Sequence, residues 1–512
     1  MKREKIHHGI YILCLLTIAI AIPLSKFLLS LGGIFLAVNW VAEWNWKEKW
    51  ERLMKQKEIF VFGGGYFILF LFLFKTDFQS EALNTLIVKL PLLYAPFILG
   101  TSSPLSGKEQ RLILNAFIGA TGIATLISVT YLLTHDVHNI REISLFISHI
   151  RFSLCIVLAI CFSIYLSLFL QIYSIGIKIL YLLCALWLLC YLFIAQTLTG
   201  IIILFIILLF AFFYSLFYIK KIRFKWVIWL LSVMIIASTA YVINVIYQYS
   251  HVDEVELSSL PAVTFNGNPY SHNPNSIIEN GYCTGLYVST TELQSEWEKR
   301  SENPYSESAL IRYLNSKGLT KDSAGMQQLN DKDIQFIEQG IANCDYVQGF
   351  GIKRSLYPIL FSISVHQVEH STVFQRMELW KIETVVIRKN FLTGVGLGDV
   401  KDAIDREISL QNSSLVYWKN MGCHNQFLSC FVTGGIFSIL YFLFMLFYPF
   451  FAMKKKINLL YVVFFILIFC SFFTEDTLGT QAGVTLYAFF NAFFLFVFND
   501  GEINRRNRLV TN

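Results

Sequence analysis

The chain has 512 residues, of which 55% are hydrophobic and only 15% are charged, and its formal net charge is +6. Soluble proteins carry about a quarter charged residues, so this composition excludes a soluble globular protein. The modest positive charge lies mainly in short loops and is not typical of nucleic-acid binding.

Apolar runs of about twenty residues recur along the chain and are long enough to cross a bilayer as helices. They predict an all-α, polytopic membrane protein with about twelve transmembrane helices, nine before a long polar region and three after it. A charged stretch at residues 44–58 predicts a further helix on the membrane surface. The predicted spans are residues 10–24, 27–41, 59–74, 83–99, 112–133, 150–170, 177–195, 198–218, 226–247, 427–450, 459–473 and 482–498.

Lysine and arginine favour the cytoplasmic loops of membrane proteins. Here they cluster near the N-terminus and at residues 47–57, 220–225, 454–456 and 505–508, whereas the alternate loops hold only isolated basic residues. With an even number of spans, this asymmetry predicts that both termini are cytoplasmic and that the polar region is not. We therefore expect a multi-pass protein of the bacterial inner membrane with a large periplasmic loop.

The predicted organisation has four parts. Residues 1–247 are an N-terminal transmembrane bundle, 248–422 the periplasmic loop, 423–499 the C-terminal transmembrane helices and 500–512 a cytoplasmic tail.

The predicted loop is mainly helical, because its sequence has helical patterns at residues 292–300, 306–316 and 331–343 after a turn-rich segment. Cys283 and Cys344 lie within it. They either form a disulfide in an oxidising compartment or remain free thiols, and the sequence leaves both possibilities open.

A glycine-rich segment near the end of the loop contains Gly394, Gly396 and Gly398. No βαβ pattern surrounds these glycines, which disfavours a nucleotide-binding loop. A tight backbone turn after a helix is the better interpretation. The sequence thus predicts no nucleotide cofactor.

The helix before this turn carries Arg376 and Trp380, which are four residues apart and so lie on one face. Two interpretations stay open. The helix could lie on the membrane surface, with tryptophan at the interface and arginine reaching to water. Alternatively, Arg376 could bind an anion through its planar guanidinium fork.

Other polar residues stand at the ends of predicted spans. His424 and Asn425 precede an apolar run, where Asn425 could cap the helix. Arg151 lies near the start of another span and could reach toward water. Glu475 and Asp476 lie in a short outward loop, and solvent alone would explain them. Each signal is weak by itself.

These polar residues are all predicted to lie at the same outer membrane interface. A histidine can move a proton near neutral pH, and arginines can hold phosphate oxygens. An enzyme that acts on a lipid diphosphate needs a base and cations at headgroup depth. The combination therefore favours transfer chemistry on a phosphorylated lipid.

The order of the motifs resembles the shared domain of O-antigen ligases and related O-antigen polymerases. The resemblance covers most of the chain from about His149 onward. Its motifs are Arg376-x-x-x-Trp380, Gly394-Val395-Gly396-Leu397-Gly398, His424-Asn425-Gln426-Phe427-Leu428 and Gly434-Gly435, with Leu310 to Asp322 and Glu475-Asp476-Thr477-Leu478 as subfamily features.

This resemblance implies transfer of a glycan from undecaprenyl diphosphate, without metal or other cofactor, to a sugar hydroxyl. The acceptor is a lipid A–core sugar for the ligases and another lipid-linked glycan for the polymerases. By the same resemblance, His424 corresponds to a histidine proposed to deprotonate the acceptor. Arg376 corresponds to an arginine thought to bind diphosphate, and Arg151 to an arginine at the end of a membrane helix.

One departure from the family pattern concerns the residues before His424. Gly422 and Cys423 stand where a basic residue is expected, so another cation must help to bind phosphate, and Lys419 and Arg388 are the candidates. Asn425, Trp380 and Glu475 are expected as further contacts to diphosphate or glycan.

Two other expectations concern alternatives. A glycolipid flippase is disfavoured by the large outer loop and by the scarcity of charged residues at span centres. A metal site is disfavoured because His366 and His370 are four residues apart but lack an evident third ligand.

Overall fold

The computed structural model describes residues 2–135, 137, 140–218, 225–252, 256–347, 352–365, 372–413, 415 and 422–503. The protein is 76% helical with almost no sheet. Within these described residues, nine helices are long and apolar enough to cross a membrane, or ten if one bent pair counts as a single span. The predicted all-α fold with many apolar helices of membrane-spanning length is confirmed, whereas the number of twelve spans and the periplasmic position of the loop stay predictions.

The first eleven helices precede most of the long polar region. They are α1 (Lys2–Leu24), α2 (Lys26–Ala42), α3 (Trp46–Lys55), α4 (Glu58–Leu71), α5 (Gln79–Lys89), α6 (Pro91–Thr101), α7 (Gly107–Thr134), α8 (His149–Leu168), α9 (Ile175–Ile194), α10 (Leu198–Tyr218) and α11 (Lys225–Ser250).

A hairpin of two short strands and eleven further helices follow. They are β1 (Ile278–Glu279), β2 (Tyr282–Cys283), α12 (Thr290–Arg300), α13 (Glu307–Ser316), α14 (Ser323–Gln327), α15 (Asp331–Glu338), α16 (Lys353–Val365), α17 (Thr372–Lys389), α18 (Val400–Leu410), α19 (Gln426–Ala452), α20 (Leu459–Thr474), α21 (Gln481–Ala492) and α22 (Asp500–Ile503).

Helices occupy all twelve predicted spans. Helices α20 and α21, the second of which continues as a π-helical turn to Val497, are too short to count among the membrane-spanning helices, and α2 counts only if it is joined with α3. The predicted surface helix is α3, which is bent by 110° from α2. Lys49 of α3 explains part of this bend, because it pairs with Glu43 at 2.9 Å and lies over the rings of Trp40 and Trp46.

The chain divides into two compact units. One unit comprises the residues up to Phe210 together with those from Arg376 onward, and the other comprises residues Ala211–Gln375. Helix α17, predicted as part of the loop, therefore begins in one unit and packs mostly with the transmembrane bundle.

The larger unit is built around α8. In the part of this helix that is long enough to cross a membrane, 78% of the residues are buried. Aromatic rings fill this core: Phe117, Phe162, Phe490 and Phe494 meet with ring centroids 4.9–6.0 Å apart. Such apolar packing around a buried helix holds the ends of α8, α20 and α21 in fixed positions.

The predicted glycine turn lies against a break in α19. Gly434 and Gly435 have non-helical backbone angles inside this helix, and Gly394 and Gly435 both have positive φ. The Val395 N–H donates to the carbonyl oxygen of Val432 at 2.8 Å. A Cβ on Gly394 would lie 2.5 Å from the Gly434 nitrogen, so only glycine lets the two backbones approach this closely.

Asp399, just after the turn, fastens it to the segment between α4 and α5. Its carboxylate accepts hydrogen bonds from the Thr76 hydroxyl at 2.6 Å and from the backbone N–H groups of Asp77 and Phe78 at 3.0–3.1 Å. The end of α17 is thereby tied to the transmembrane bundle.

The smaller unit contains the hairpin and α12 to α16. Helices α12, α13 and α15 match the three predicted helical patterns, and the turn-rich segment contains the β1–β2 hairpin. Its buried ion pair joins Arg312 and Glu279 at 2.9 Å. Cys283 and Cys344 are both free thiols, so the disulfide alternative does not hold in this structure.

Candidate functional site

The site is built on one stripe of α17. Arg376, Trp380 and Glu383 are spaced at i, i+4 and i+7, which puts them on one face of the helix. Arg376 and Trp380 are half-buried, and Glu383 is completely buried. This stripe faces into the larger unit, because Arg376 pairs with Glu475 of the loop that precedes α21 and Glu383 is fully buried.

Glu475 is the centre of the site. Its Oε1 atom lies 2.7 Å from Nη2 of Arg376 and 3.4 Å from Nδ1 of His424, and its Oε2 atom lies 3.5 Å from Nη2 of Arg151. The Glu475 side chain is only 7% exposed. One carboxylate therefore gathers two arginines and a histidine from three distant parts of the chain.

The electrostatics of this cluster are dominated by burial and by the arginines. Burial disfavours the charged form of Glu475, but His424, Arg376 and Arg151 together hold its pKa below the ordinary value. Burial lowers the pKa of Arg376, the Glu475 carboxylate opposes this, and the nearby Arg141 adds repulsion. Two arginines share the one Glu475 carboxylate, and this excess of positive charge suits an anionic ligand.

Arg151 is oriented by the start of α8 and by the loop that carries Glu475. Its guanidinium donates to the Ser148 hydroxyl at 3.0 Å and to the carbonyl oxygen of Asp476 at 3.0 Å. Its Nε atom is buried and has no hydrogen-bond partner among the described residues. Arg151 therefore retains one N–H donor that is not used within the described residues.

His424 is the most exposed member of the Glu475 cluster, with 35% of its side chain accessible. The next residue, Asn425, caps α19 because its side-chain oxygen accepts from the backbone N–H groups of Phe427 and Leu428. The predicted cap is confirmed, and it fixes the backbone that presents His424. The expected contact of Asn425 with substrate stays a prediction.

A buried lysine beside the site was not singled out by the sequence. Lys89 is 8% exposed and lies in the middle of the candidate span Gln79–Thr101. It lines a small pocket that is partly open to the outside, called the cavity below. The other lining residues are Gly65, Ile68, Leu69, Leu92, Gln426, Cys430, Ser438, Tyr441, Phe442, Met445 and Leu478.

This cavity is an apolar pocket with one cation. Gln426 opens α19 two residues after His424, and its side-chain oxygen accepts from the Leu478 N–H at 2.8 Å. The positive charge of Lys89 also favours the ionised form of Asp476. A buried lysine within a membrane span is costly and generally marks a functional site.

Two buried acidic groups belong to the larger unit near the site, of which the sequence singled out Asp476 but not Glu383. Both oxygens of Glu383 and the Oδ1 atom of Asp476 are buried without hydrogen-bond partners among the described residues. Burial and the neighbouring Asp476 raise the pKa of Glu383 to about 8. In the sequence, Glu383 lies in a polar stretch and looks like a solvated residue.

Not every predicted site residue joins this cluster. Arg388 is exposed and lies 12 residues after Arg376 on α17, about 18 Å further along the helix. Trp380 lies one turn from Arg376, and its buried indole N–H has no partner in the described chain.

Lys419, His366 and His370 lie outside the described residues. The described residues contain no group of three or more metal-ligand side chains.

No protein-family model matches this sequence, and no curated protein matches it either. The contacts of Glu475, Arg376, Arg151 and His424 are therefore the observations from which a function can be argued.

Proposed function

We propose that the protein is a glycosyltransferase of the O-antigen ligase type, which moves a glycan from undecaprenyl diphosphate to the hydroxyl of a lipid A–core sugar. The observation that carries this proposal is the junction at Glu475, where two arginines and a partly exposed histidine meet. The proposal includes twelve spans, cytoplasmic termini and a reaction on the periplasmic face of the inner membrane.

His424 is the general base of the proposed reaction. Glu475 faces its Nδ1 atom at 3.4 Å, and a proton on Nδ1 directed at this carboxylate leaves Nε2 free to accept. The acceptor hydroxyl gives its proton to Nε2 as its oxygen attacks the anomeric carbon of the glycan. General-base assistance of this kind contributes about 10²–10⁴-fold to a rate.

The leaving group is undecaprenyl diphosphate, which departs with the electron pair of the anomeric C–O bond. Negative charge develops on the diphosphate oxygen in the transition state, and preorganised cations stabilise it there. Arg376 and Arg151 supply such cations, and both are already oriented by Glu475. No metal or other cofactor takes part in the proposed reaction.

Lys89 takes the place of the basic residue that the family pattern has before His424. Its cavity is mostly apolar, which fits the isoprenoid chain next to the phosphate. In this proposal Lys89 binds the phosphate nearest the lipid, and the arginines bind the phosphate nearest the sugar.

A polymerase of the same family would use the same base and cations with a lipid-linked glycan as acceptor. A glycolipid flippase is the candidate from another class, and the position of Lys89 in the middle of a span is compatible with it. These candidates differ in the intermediate that accumulates when the enzyme is missing.

Deletion of the gene tests the proposal, with analysis of lipid-linked glycans in the cells. A ligase predicts full-length polymer that stays on undecaprenyl diphosphate. A polymerase predicts single repeat units on lipid A–core. Donor trapped on the cytoplasmic face would contradict a transferase and indicate a flippase.

A further inference from the structure

The smaller unit has a segment whose surface carries no charge. Residues 257–282, called the neutral segment below, contain a single aspartate, glutamate, lysine or arginine, which is Glu279. The Glu279 side chain is fully buried, where it pairs with Arg312 at 2.9 Å. The exposed surface of the neutral segment therefore lacks carboxylates, lysines and arginines.

The neutral segment also holds the exposed apolar side chains of the region after α11. Residues 256–347 are all described, and each large hydrophobic side chain that is exposed among them lies in this segment. These side chains are Leu257, Val263, Phe265, Ile277, Ile278 and Tyr282. The following residues, 292–345, instead expose charged side chains such as Glu298, Lys299 and Asp331. Such a separation of apolar from charged surface is typical of a face that contacts something other than water.

Phe265 is the most exposed large hydrophobic side chain in the part of the chain that the structure describes. It stands in a tight turn, in which the Thr264 N–H donates to the carbonyl oxygen of Asn268 at 2.8 Å and the Gly267 N–H donates to that of Thr264 at 3.0 Å. Gly267 has a φ of 84°, which favours glycine at this position. The turn thus presents a phenylalanine ring entirely to the outside.

The turn is fixed by the buried carboxylate of Glu292 on α12. This carboxylate accepts hydrogen bonds from the Thr264 hydroxyl, from the Asn268 side-chain amide at 2.8 Å and from the Ser323 backbone N–H at 2.9 Å. Glu292 is only 6% exposed. Because the turn is already ordered, binding through Phe265 loses little further conformational entropy.

A candidate membrane span leads directly into the neutral segment. This span, Ser232–Ser250, is part of α11 and ends shortly before Leu257. The β1–β2 hairpin is attached to the end of the span, because the Gly281 N–H donates to the carbonyl oxygen of Tyr249 at 2.9 Å. A Cβ on Gly281 would lie 2.8 Å from the carbonyl oxygen of Gln248. The hairpin therefore lies where α11 would leave the bilayer.

Further packing holds the hairpin against the end of α11. The guanidinium group of Arg312, the partner of Glu279 in β1, lies 3.5 Å from the ring centroid of Phe361 in α16. In turn, α16 packs against α11, where the rings of Tyr249 and Tyr357 are 4.7 Å apart. The exposed Ile278 and Tyr282 of the hairpin are thus kept close to the end of the span.

We propose that the neutral segment is a membrane-contacting surface, with Ile278 and Tyr282 at headgroup level and Phe265 inserted among the lipids of the leaflet where α11 ends. The bilayer is the partner for three reasons. The segment adjoins a span, it exposes no carboxylate, lysine or arginine that would have to be desolvated, and aromatic side chains favour the membrane interface. This inference goes beyond the proposed function and does not depend on it.

The first test is photochemical and uses the full-length protein. Phe265 is replaced by p-benzoylphenylalanine, and the protein is reconstituted in vesicles of phosphatidylethanolamine and phosphatidylglycerol with radioactive acyl chains. On illumination we expect severalfold more labelled lipid on this variant than on one with the same amino acid at Gln328, which is exposed outside the neutral segment. Phe213, exposed in the candidate span Leu198–Phe217, is the positive control. Labelling no higher than at Gln328 would overturn the inference and favour a partner outside the bilayer, such as a glycan.

The second test asks whether Phe265 anchors the turn. The photoreactive amino acid is placed at the neighbouring Val263, which is 53% exposed, and is combined with Phe265→Asp or with Phe265→Leu. A carboxylate is costly to insert into a membrane, whereas leucine is not. We therefore expect Phe265→Asp to reduce lipid attachment at position 263 severalfold and Phe265→Leu to preserve it. Equal attachment in the two variants would contradict the proposed role of Phe265.

Both changes at Phe265 should leave the fold intact, because its side chain is fully exposed, and melting temperatures equal to that of wild type check this. Lipid attachment does not require glycan transfer. Failure of the transfer assay would therefore refute the proposed function and leave the result on the neutral segment unaffected.

Discussion

The guanidinium group of Arg376 lies 2.7 Å from the carboxylate of Glu475, although 99 residues separate them in the chain. This contact joins the helix before the glycine turn to the loop between α20 and α21. Because Glu475 also faces His424, the arginine and the histidine are held in a fixed relationship. Both are therefore expected to act on the same reacting group.

The first prediction concerns Arg376→Lys. Lysine keeps the charge but loses the planar fork, so it cannot hold Glu475 and a phosphate oxygen in the same way. We expect transfer to fall about tenfold to a hundredfold, the equivalent of a charged hydrogen bond worth about 1.5–3 kcal/mol. The measurement is transfer per folded molecule.

Arg406→Lys on α18 is the control for this change, because Arg406 is 71% exposed and pairs with Asp402 of its own helix. Near-normal transfer by Arg376→Lys would favour the alternative interpretation, in which Arg376 simply reaches toward water from a surface helix.

The second prediction concerns Glu475→Gln. Removal of this carboxylate leaves the arginines and His424 without their common partner, so transfer should drop at least about tenfold. The pH dependence of stability should change as well. The pKa of Glu475 is lowered in the folded protein, so its stabilisation is present above the ordinary glutamate pKa and is lost as the pH falls through the lowered value.

Melting temperatures measured between pH 7 and pH 3 test whether stability is lost in this direction. Wild type should lose more stability on acidification than Glu475→Gln does. Parallel curves for the two proteins would mean that Glu475 is not held ionised by its cationic neighbours.

The third prediction concerns Lys89. If its ammonium group binds the phosphate nearest the lipid, Lys89→Met should weaken binding of undecaprenyl diphosphate, with much less effect on binding of the uncharged polyprenol. Lys26→Met is the matched control, since Lys26 is exposed at the start of α2. Equal affinity of wild type and Lys89→Met for the diphosphate, measured by titration in detergent, would remove Lys89 from the site.

The fourth prediction concerns topology. A cysteine at Gln328, which is exposed in the smaller unit, should react with a membrane-impermeant reagent in cells whose outer membrane is permeable. A cysteine at Lys454, exposed in the loop between α19 and α20, should react only after lysis. Labelling above the wild-type background is the readout. The reverse pattern would place the site on the cytoplasmic face.

The helices could be predicted from the sequence because hydrophobic length and helical period are local properties. That is why α17, the cap at Asn425 and the glycine turn agree with expectation. The local sequence predicts this turn but does not explain why each of its glycines is needed. Its glycines are needed because a second backbone, at Gly434 and Gly435, lies against them.

The contacts of the site could be predicted only in part. Arg376, Arg151, His424 and Glu475 were all expected at one interface, but the sequence did not show that Glu475 would hold the other three side chains together. Arg151 donates a hydrogen bond to the carbonyl oxygen of Asp476, which lies 325 residues later in the chain. A local sequence pattern cannot predict a contact between residues so far apart. Lys89 and Glu383 were missed for the same reason, since burial is decided by helices that pack from elsewhere in the chain.

The most direct test of the central claim is transfer by purified protein, with a glycan on undecaprenyl diphosphate as donor, lipid A–core as acceptor and excess EDTA present. We expect wild type to transfer the glycan under these conditions. His424→Gln and His424→Asn should lose about two orders of magnitude in turnover while still binding the donor. Wild-type turnover in either variant, or loss of wild-type activity that one divalent ion restores, would contradict the account.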